Sequence, residues 1–383
     1  MNRTDRNRLL RLALANSTGF SATTAVPLWI GLIAPLLGVA SSWPSVIASL
    51  QLACAAAGNI GASMALRRHP AEKIAVVAAL VSSAGSLLAA IPLASSFAVG
   101  CAINGAALGV LLSATNRIVA TTEAVHEGYS LLMVVEVMFA ASFYIVMPLV
   151  IRQFGLASLF LMLMLLGLAV AALMRGLSAS ASQPRNVCAA DNPGSSGRAM
   201  LMLLAFAIFF SGQSAVWSRV LSIGALLGLD AVQVGRVMAL SVLTGLLGAM
   251  LAKLIGERFG ITKPLLASCA LLGAVLLINV HTTSTLLFAV SATCIMLLTM
   301  FTVPYVFTSL ARLDRSGRWA SAGPAFLLIG TAIGPSIAAY TLNSGTFSDV
   351  GKLACILVLA AAAMFVGGSV WRSTQMSSAA RRE

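Results

Sequence analysis

The chain is built from recurrent apolar segments, each about 20 residues long, closed at both ends by charges, prolines, glycines or small polar clusters. A hydrocarbon layer about 30 Å thick is crossed by about 20 residues of α-helix. Inside such a layer only helices and closed barrels satisfy their own backbone groups. The segments fall at 11–37, 43–66, 73–95, 97–118, 128–151 and 155–175, then at 199–227, 232–255, 263–281, 284–311, 318–342 and 350–371. Between the two sets lies a polar stretch, Ser178 to Arg198, rich in Ser, Asn, Pro and Gly. Twelve such segments in 383 residues leave short loops and no room for a separate soluble domain. Composition agrees. With 59% hydrophobic and 9% charged residues, against about 25% charged in an ordinary globular domain, too few charges remain to solvate a water-facing surface. The same figures exclude a disordered chain. The expected fold class is an all-α membrane protein with twelve transmembrane helices.

The formal charge of +13 would point to nucleic acid in a soluble protein. In a membrane protein, basic residues record which side a loop faces. If the N-terminus is cytoplasmic, cytoplasmic segments hold 20 of the 24 basic residues, and only Arg152, Arg219, Arg236 and Lys352 fall outside. Both termini are therefore expected in the cytoplasm, and no nucleic-acid partner is needed. Arg3, Arg6, Arg8 and Arg11 lead into the first segment with no short apolar core and Ala-x-Ala site, so the start reads as a tail before a retained helix. Five of six cysteines (Cys54, Cys101, Cys269, Cys294, Cys355) lie in apolar stretches, and no CxxC occurs. They read as packing residues.

The layout repeats. Leu12 and Ala199 open corresponding segments, and the basic loops at Arg67-Arg68 and Arg258 follow corresponding second segments. Two six-helix halves joined by a polar linker form a parallel duplication, a layout found among secondary transporters. The expected organisation is an N-terminal bundle over 1–177, a cytoplasmic linker over 178–198 and a C-terminal bundle over 199–383.

The loop after the eighth segment carries Lys253-Leu254-Ile255-Gly256-Glu257-Arg258-Phe259-Gly260-Ile261-Thr262-Lys263. It resembles the loop signature of the major facilitator superfamily, Gly-x-Leu-x-Asp-Arg-x-Gly-x-x-Lys/Arg, with Lys253 in place of the leading glycine. The corresponding loop after the second segment keeps the basic pair Arg67 and Arg68 but lacks the acid. The resemblance covers essentially the whole chain. It implies two pseudo-symmetric six-helix bundles that rock by alternating access, with Arg67, Arg68, Glu257 and Arg258 at a gating loop. Gly330, Gly334 and Pro335 on the eleventh segment are similar to a Gly-x-x-x-Gly-Pro signature that the family carries on helix 5 in proton antiporters. Here the fifth segment offers only Met147-Pro148, so the antiporter inference does not carry over directly. Gly334 and Pro335 are retained as gating candidates, since close-approach glycines and a proline kink supply a bending point. Gly105/Gly109 and Gly224/Gly228 share the four-residue spacing and read as helix-packing pairs.

Glu136, within Met133-Val134-Val135-Glu136-Val137-Met138-Phe139, is about nine residues into its segment and hence roughly 13 Å deep at 1.5 Å per residue. A carboxylate at mid-membrane must face a cavity, pair with a cation or carry a proton. Proton coupling or substrate binding is the functional reading; a neutral side chain bonded between helices is the structural one. Arg219, about 30 Å along its segment by the same rise, is expected near the outer face. There it either snorkels to the interface or presents a guanidinium to an anionic substrate. Neutral polar and aromatic residues recur at helical spacing: Asn16, Phe20, Thr24 on the first segment; Gln51 on the second; Asn104 on the fourth; Phe210, Gln213, Trp217 on the seventh; Tyr305 on the tenth. The resemblance implies that helices 1, 4, 7 and 10 line the pathway with 2, 5, 8 and 11 flanking it, which makes these the substrate-binding candidates. Each alone serves equally well as an interhelical hydrogen bond.

No HExxH or GxSxG occurs, and His69, His126 and His281 lie far apart in this topology. No catalytic residue, metal or cofactor is expected, and a receptor on a transporter fold would call for a large soluble extension. The function expected is a monomeric secondary active transporter moving a small organic solute across the bilayer, with the proton as coupling ion. Efflux of a drug or metabolite is preferred because the interior holds few fixed charges. Uptake of a metal chelate, sugar or peptide is the alternative. Arginine outnumbers lysine 20 to 4, which points to a GC-rich bacterial genome and an inner-membrane location.

Overall fold

The computed structural model describes residues 3–120, 125–175, 193–256, 258–313 and 318–379. In chain order the helices are α1 (Arg3–Gly19), α2 (Ser21–Trp29), α3 (Ile33–Leu37), α4 (Trp43–Arg68), α5 (Ala71–Ala89), α6 (Ala94–Ala120), α7 (Val125–Phe154) and α8 (Ala157–Arg175). The second half follows with α9 (Pro193–Trp217), α10 (Val220–Leu226), α11 (Ala231–Ile255), α12 (Thr262–His281), α13 (Thr285–Leu313), α14 (Arg318–Ser344) and α15 (Phe347–Ala379). Eleven continuous stretches are long and apolar enough to cross a membrane. The first crossing is assembled from α1, α2 and α3, which completes twelve.

That first crossing is broken where the sequence led us to expect one helix. Ser17 and Thr18 donate their hydroxyls to the carbonyls of Ala13 and Leu14, and Thr23 and Thr24 both donate to Phe20 O. Back-bonding of this kind competes with the helical ladder and bends it. Pro27 removes a further backbone donor. The helix gives way at Phe20, whose N–H is shared between Asn16 O and Ser17 O. The linker expected over 178–198 lies mostly outside the described residues, and α9 already begins at Pro193 within it.

The two halves pack alike. In the first, α6 lies against α4, α5 and α1, while α8 closes on α5 and α1. In the second, α13 lies against α11, α12 and α9, while α15 closes on α12 and α9. The bundles meet along two seams, α4 with α14 and α7 with α11. Exchanging the halves turns one seam into the other, as a duplicated fold requires. The chain is thus an all-α, multi-pass membrane protein with two pseudo-symmetric six-helix bundles. We call the end that carries residues 3, 175, 193 and 379 the terminal end, and the opposite one the far end.

Glycine sets the closest helix crossings. A Cβ on Gly105 would meet Gln51 O, one on Gly109 would meet Ala55 O, and one on Gly58 would meet Ala106 O, so α4 and α6 touch backbone to backbone. In the second half Gly248 plays this part against Leu297 O of α13. The pairing expected of Gly224/Gly228 differs: Gly224 packs on Val234 and Phe288, but Gly228 adopts φ +77° and ends α10. A left-handed residue after a helix is the usual stop signal, so this glycine serves a turn.

Candidate functional site

The α4–α14 seam is held by a ladder of serines. Ser45 and Ser49, one helical turn apart on α4, both point at the second bundle. The Arg219 guanidinium donates to Ser45 Oγ. Ser336 Oγ donates to Ser49 Oγ at 2.7 Å, and Ser336 N–H reaches the same oxygen at 3.2 Å. At the same level Trp217 packs edge-on against Tyr144 at 6.5 Å between ring centroids, Gly31 approaches Ser222, and Gly235 sits on Tyr144 O and Pro148. Deeper in the seam, Ala56, Leu112 and Leu328 form a small apolar cluster with Phe20 and Ile329. These ties lie in the middle and far half of the molecule, so the far end is closed.

Arg219 lies toward the far end and takes the inward of the two orientations left open by its sequence. It is 8% exposed and does not snorkel to an outer surface. Helix α9 ends at Trp217 and α10 restarts at Val220. The intervening turn, with Ser218 N–H on Ser214 O and Arg219 N–H on Val216 O, carries the side chain inward to α4. Its Nε has no partner among the described residues. Sequence reasoning missed Ser45 as its acceptor, and Ser49 with Ser336 as a second tie across the seam. The four-residue spacing of Ser45 and Ser49 was the available signal.

Glu136 lies on the other seam. It shares a cavity of about 110 Å³ with Met133, Val137 and Ala140 of α7, Val242, Gly245, Leu246 and Ala249 of α11, and Met296 and Met300 of α13. Every other lining side chain is apolar. Gly245 opens the space, with Met300 Cγ 3.0 Å from where its Cβ would stand. The carboxylate therefore sits between the bundles, at one of the two places where rocking would change its surroundings.

The remaining candidates divide by partner. Gln51 Nε2 donates to Asn104 Oδ1 at 2.9 Å, and Asn104 Nδ2 donates to Ser82 Oγ at 3.0 Å and Ser86 Oγ at 2.9 Å. This pair is buried within the first bundle and binds α4, α6 and α5 together, although Gln51 Oε1 has no partner among the described residues. Asn16 accepts from Thr115 Oγ1 at 3.1 Å, joining α1 to α6. Phe20 belongs to the mid-seam cluster, and Thr24 is buried with its hydroxyl on Phe20 O. Phe210 stacks edge-on with Phe206 and Phe209. Gln213 is 4% exposed, and no protein bond to its amide occurs among the described residues. Tyr305 donates to Gly256 O at 3.0 Å, which ties α13 to the end of α11.

Of the gating candidates, Gly334 rests on Ser214 and Ala215 of α9, and Gly330 on Ala207 and Phe210. The motif is a close α14–α9 contact inside the second bundle, and buried Pro335 follows it just before Ser336 reaches Ser49. Arg68 and Arg258 are exposed at the terminal end, and the Arg67 backbone is in the last turn of α4. Glu257 lies outside the described residues. Gly256 and Gly260 in that loop both take positive φ, +54° and +74°, which accounts for glycine at those positions.

No protein-family model matches the sequence, and no curated protein sequence matches it. Solved structures do. The nucleoside transporter NupG aligns with a TM-score of 0.75 at 14% identity, over 93% of this chain and 99% of that one. The POT family transporter PepTSo aligns at 0.73 and 8%, over 96% and 98%. A peptide transporter POT in complex with alafosfalin aligns at 0.74 and 13%, over 96% and 95%. At these identities the likeness concerns the backbone, and over that near-complete length the chain has the major facilitator fold.

Proposed function

We propose that the chain is a secondary active transporter that moves a small organic solute by alternating access across a bacterial inner membrane, coupled to protons through Glu136. The halves 1–177 and 199–383 are the rocking units and 178–198 their cytoplasmic connection. The observation that carries the reading is the position of Glu136 in an apolar cavity on one inter-bundle seam, while the other seam closes the far end. A carboxylate whose access to water changes as the seam opens takes and releases its proton on opposite sides, which links proton movement to rocking. The likeness to nucleoside and peptide transporters supports a solute of moderate size and polarity.

Efflux in exchange for protons is the direction we favour, since among the described residues Arg219 is the one buried cation at the seams and Glu136 the one carboxylate lining the seam cavity. Proton-driven uptake is the second reading, favoured by the two peptide transporters among the similar structures. A thermal-shift screen of nucleosides, dipeptides and cationic dyes selects the solute, and flux is then measured in proteoliposomes under an imposed pH gradient. Glu136→Gln should abolish gradient-driven flux while solute exchange at equal pH continues. Undiminished gradient-driven flux in that variant sinks the coupling role, and the sign of the flux decides the direction.

A further inference from the structure

A second cavity opens on the outside of the first bundle, away from both seams. It holds about 640 Å³ between α4, α5 and α6. Its floor is made of small residues, Ala78, Ala106 and Ala107, and its walls of Ile74, Val77 and Val81. Val77 is 60% and Val81 42% exposed, so the groove is open along the surface that a bilayer covers. From Lys73 to Val81 it runs eight helical residues, about 12 Å at 1.5 Å per residue. It is capped at the terminal end by His69 and Lys73, both exposed and both lining it. Arg68 is exposed beside them.

The charge at this mouth is one-sided. The neighbouring acid, Glu72, is buried and turned toward α1, where Arg8 stands 3.8 Å away. No carboxylate bonds to Lys73 or His69 among the described residues. An apolar furrow as deep as part of an acyl chain, with ammonium and imidazole donors at interface level, has the shape and polarity of a lipid with a negative headgroup. Basic pockets between membrane helices recognise such headgroups. A zwitterionic lipid would bring its own cation to the same mouth.

We propose that this groove binds one anionic phospholipid, an acyl chain along Ile74, Val77 and Val81 and the phosphate on Lys73 and His69. The site does not depend on the transport reading above. Native mass spectrometry of the purified full chain, incubated with phosphatidylglycerol or phosphatidylcholine of the same chains, tests it. One phosphatidylglycerol should be retained about tenfold more readily than phosphatidylcholine. The Lys73→Gln/His69→Gln variant should lose that preference, and Ala65→Trp, which fills the groove from an exposed position on α4, should lose retention of both lipids. Arg152→Gln, exposed at the far end, should retain the preference. Equal retention of the two lipids by the unaltered protein overturns the proposal, as does a preference that survives Lys73→Gln/His69→Gln. Full retention in Ala65→Trp removes the acyl chain from the groove. A thermal-shift measurement on each variant separates lost binding from lost folding.

Discussion

The Arg219 guanidinium reaches across the seam between the bundles to the Ser45 hydroxyl, and its own Nε has no partner among the described residues. A cation taken out of water and given one neutral acceptor is poorly compensated; such penalties run to several kcal/mol per ion. Opening the far end would hydrate it. Arg219 therefore joins the bundles and at the same time weighs against the closed seam.

The charge and the hydrogen bond are separable. Arg219→Gln removes the buried charge and leaves a neutral amide on a shorter chain; the charge costs more than one neutral hydrogen bond contributes, so the closed far end should become more populated. Ser45→Ala leaves the guanidinium with no acceptor and should favour opening. Spin labels at Leu36 and Leu226, both exposed near the far end, in a background freed of native cysteines, report the change as an interspin distance distribution. We expect Arg219→Gln to shift it to short distances and Ser45→Ala to long ones, each by about tenfold in population for every 1.4 kcal/mol. A shift to long distances in Arg219→Gln would falsify the destabilising role of the charge.

The Gln51–Asn104 pair carries a second prediction. Asn104 satisfies one donor of Gln51 and two serines of α5 at once, so Asn104→Ala strands Gln51 Nε2 in a dry interior. The cost of an unsatisfied buried group is about 1–3 kcal/mol, although polar pairs in membrane interiors average nearer 0.6 kcal/mol. Thermal stability in detergent should fall by a corresponding few degrees. If the pair is structural, the concentration of solute that gives half-maximal thermal stabilisation stays the same in this variant. A tenfold change there would return both residues to the solute site.

Hydropathy made the crossings legible because the contrast between apolar spans and charged loops is steep; α11 and α12 begin within one residue of their expected starts. The break at Phe20 was hidden because it arises from hydroxyls folding back on the backbone, which leaves no mark in hydropathy. Arg219 was readable as lying toward one end of its segment, but its direction was not: the turn at Ser218 aims it inward to Ser45. The depth of Glu136 was readable from its own segment, but its cavity is made by α11 and α13 and belongs to tertiary structure. Gln51 and Asn104 were readable as buried polar groups, and only the packed bundle tells that each is the other's partner.

Glycine positions that look alike in sequence should respond differently to the same change. A Cβ at Gly109 would meet Ala55 O and Asn59 N, main-chain atoms that cannot yield without moving α4. At Gly61, on the same helix as Ala55, a Cβ meets nothing within 4 Å. Overpacking a tight contact costs about 1–3 kcal/mol, while replacing an unconstrained helical glycine by alanine gains roughly 0.5–1 kcal/mol. Gly109→Ala should therefore lower the unfolding temperature and Gly61→Ala leave it unchanged or raise it. Equal effects at the two positions would show that the α4–α6 crossing is looser than its geometry.

The Glu136 cavity can be tested through a charge placed beside it. Met300 lines the same space from α13, and its flexible chain already fills the gap left by Gly245. Met300→Lys brings an ammonium of similar length into reach of the carboxylate. With Glu136 present the two charges compensate, so the protein should fold and retain thermal stability close to its original value. It should also cease to couple, because an ion-paired carboxylate no longer exchanges its proton as the seam moves. Met300→Lys combined with Glu136→Gln leaves the ammonium buried and unpaired, and losing one partner of a buried pair costs about 3–5 kcal/mol. The double variant should thus unfold at much lower temperature than either single one. Additive losses in the three measurements would place Glu136 out of reach of residue 300.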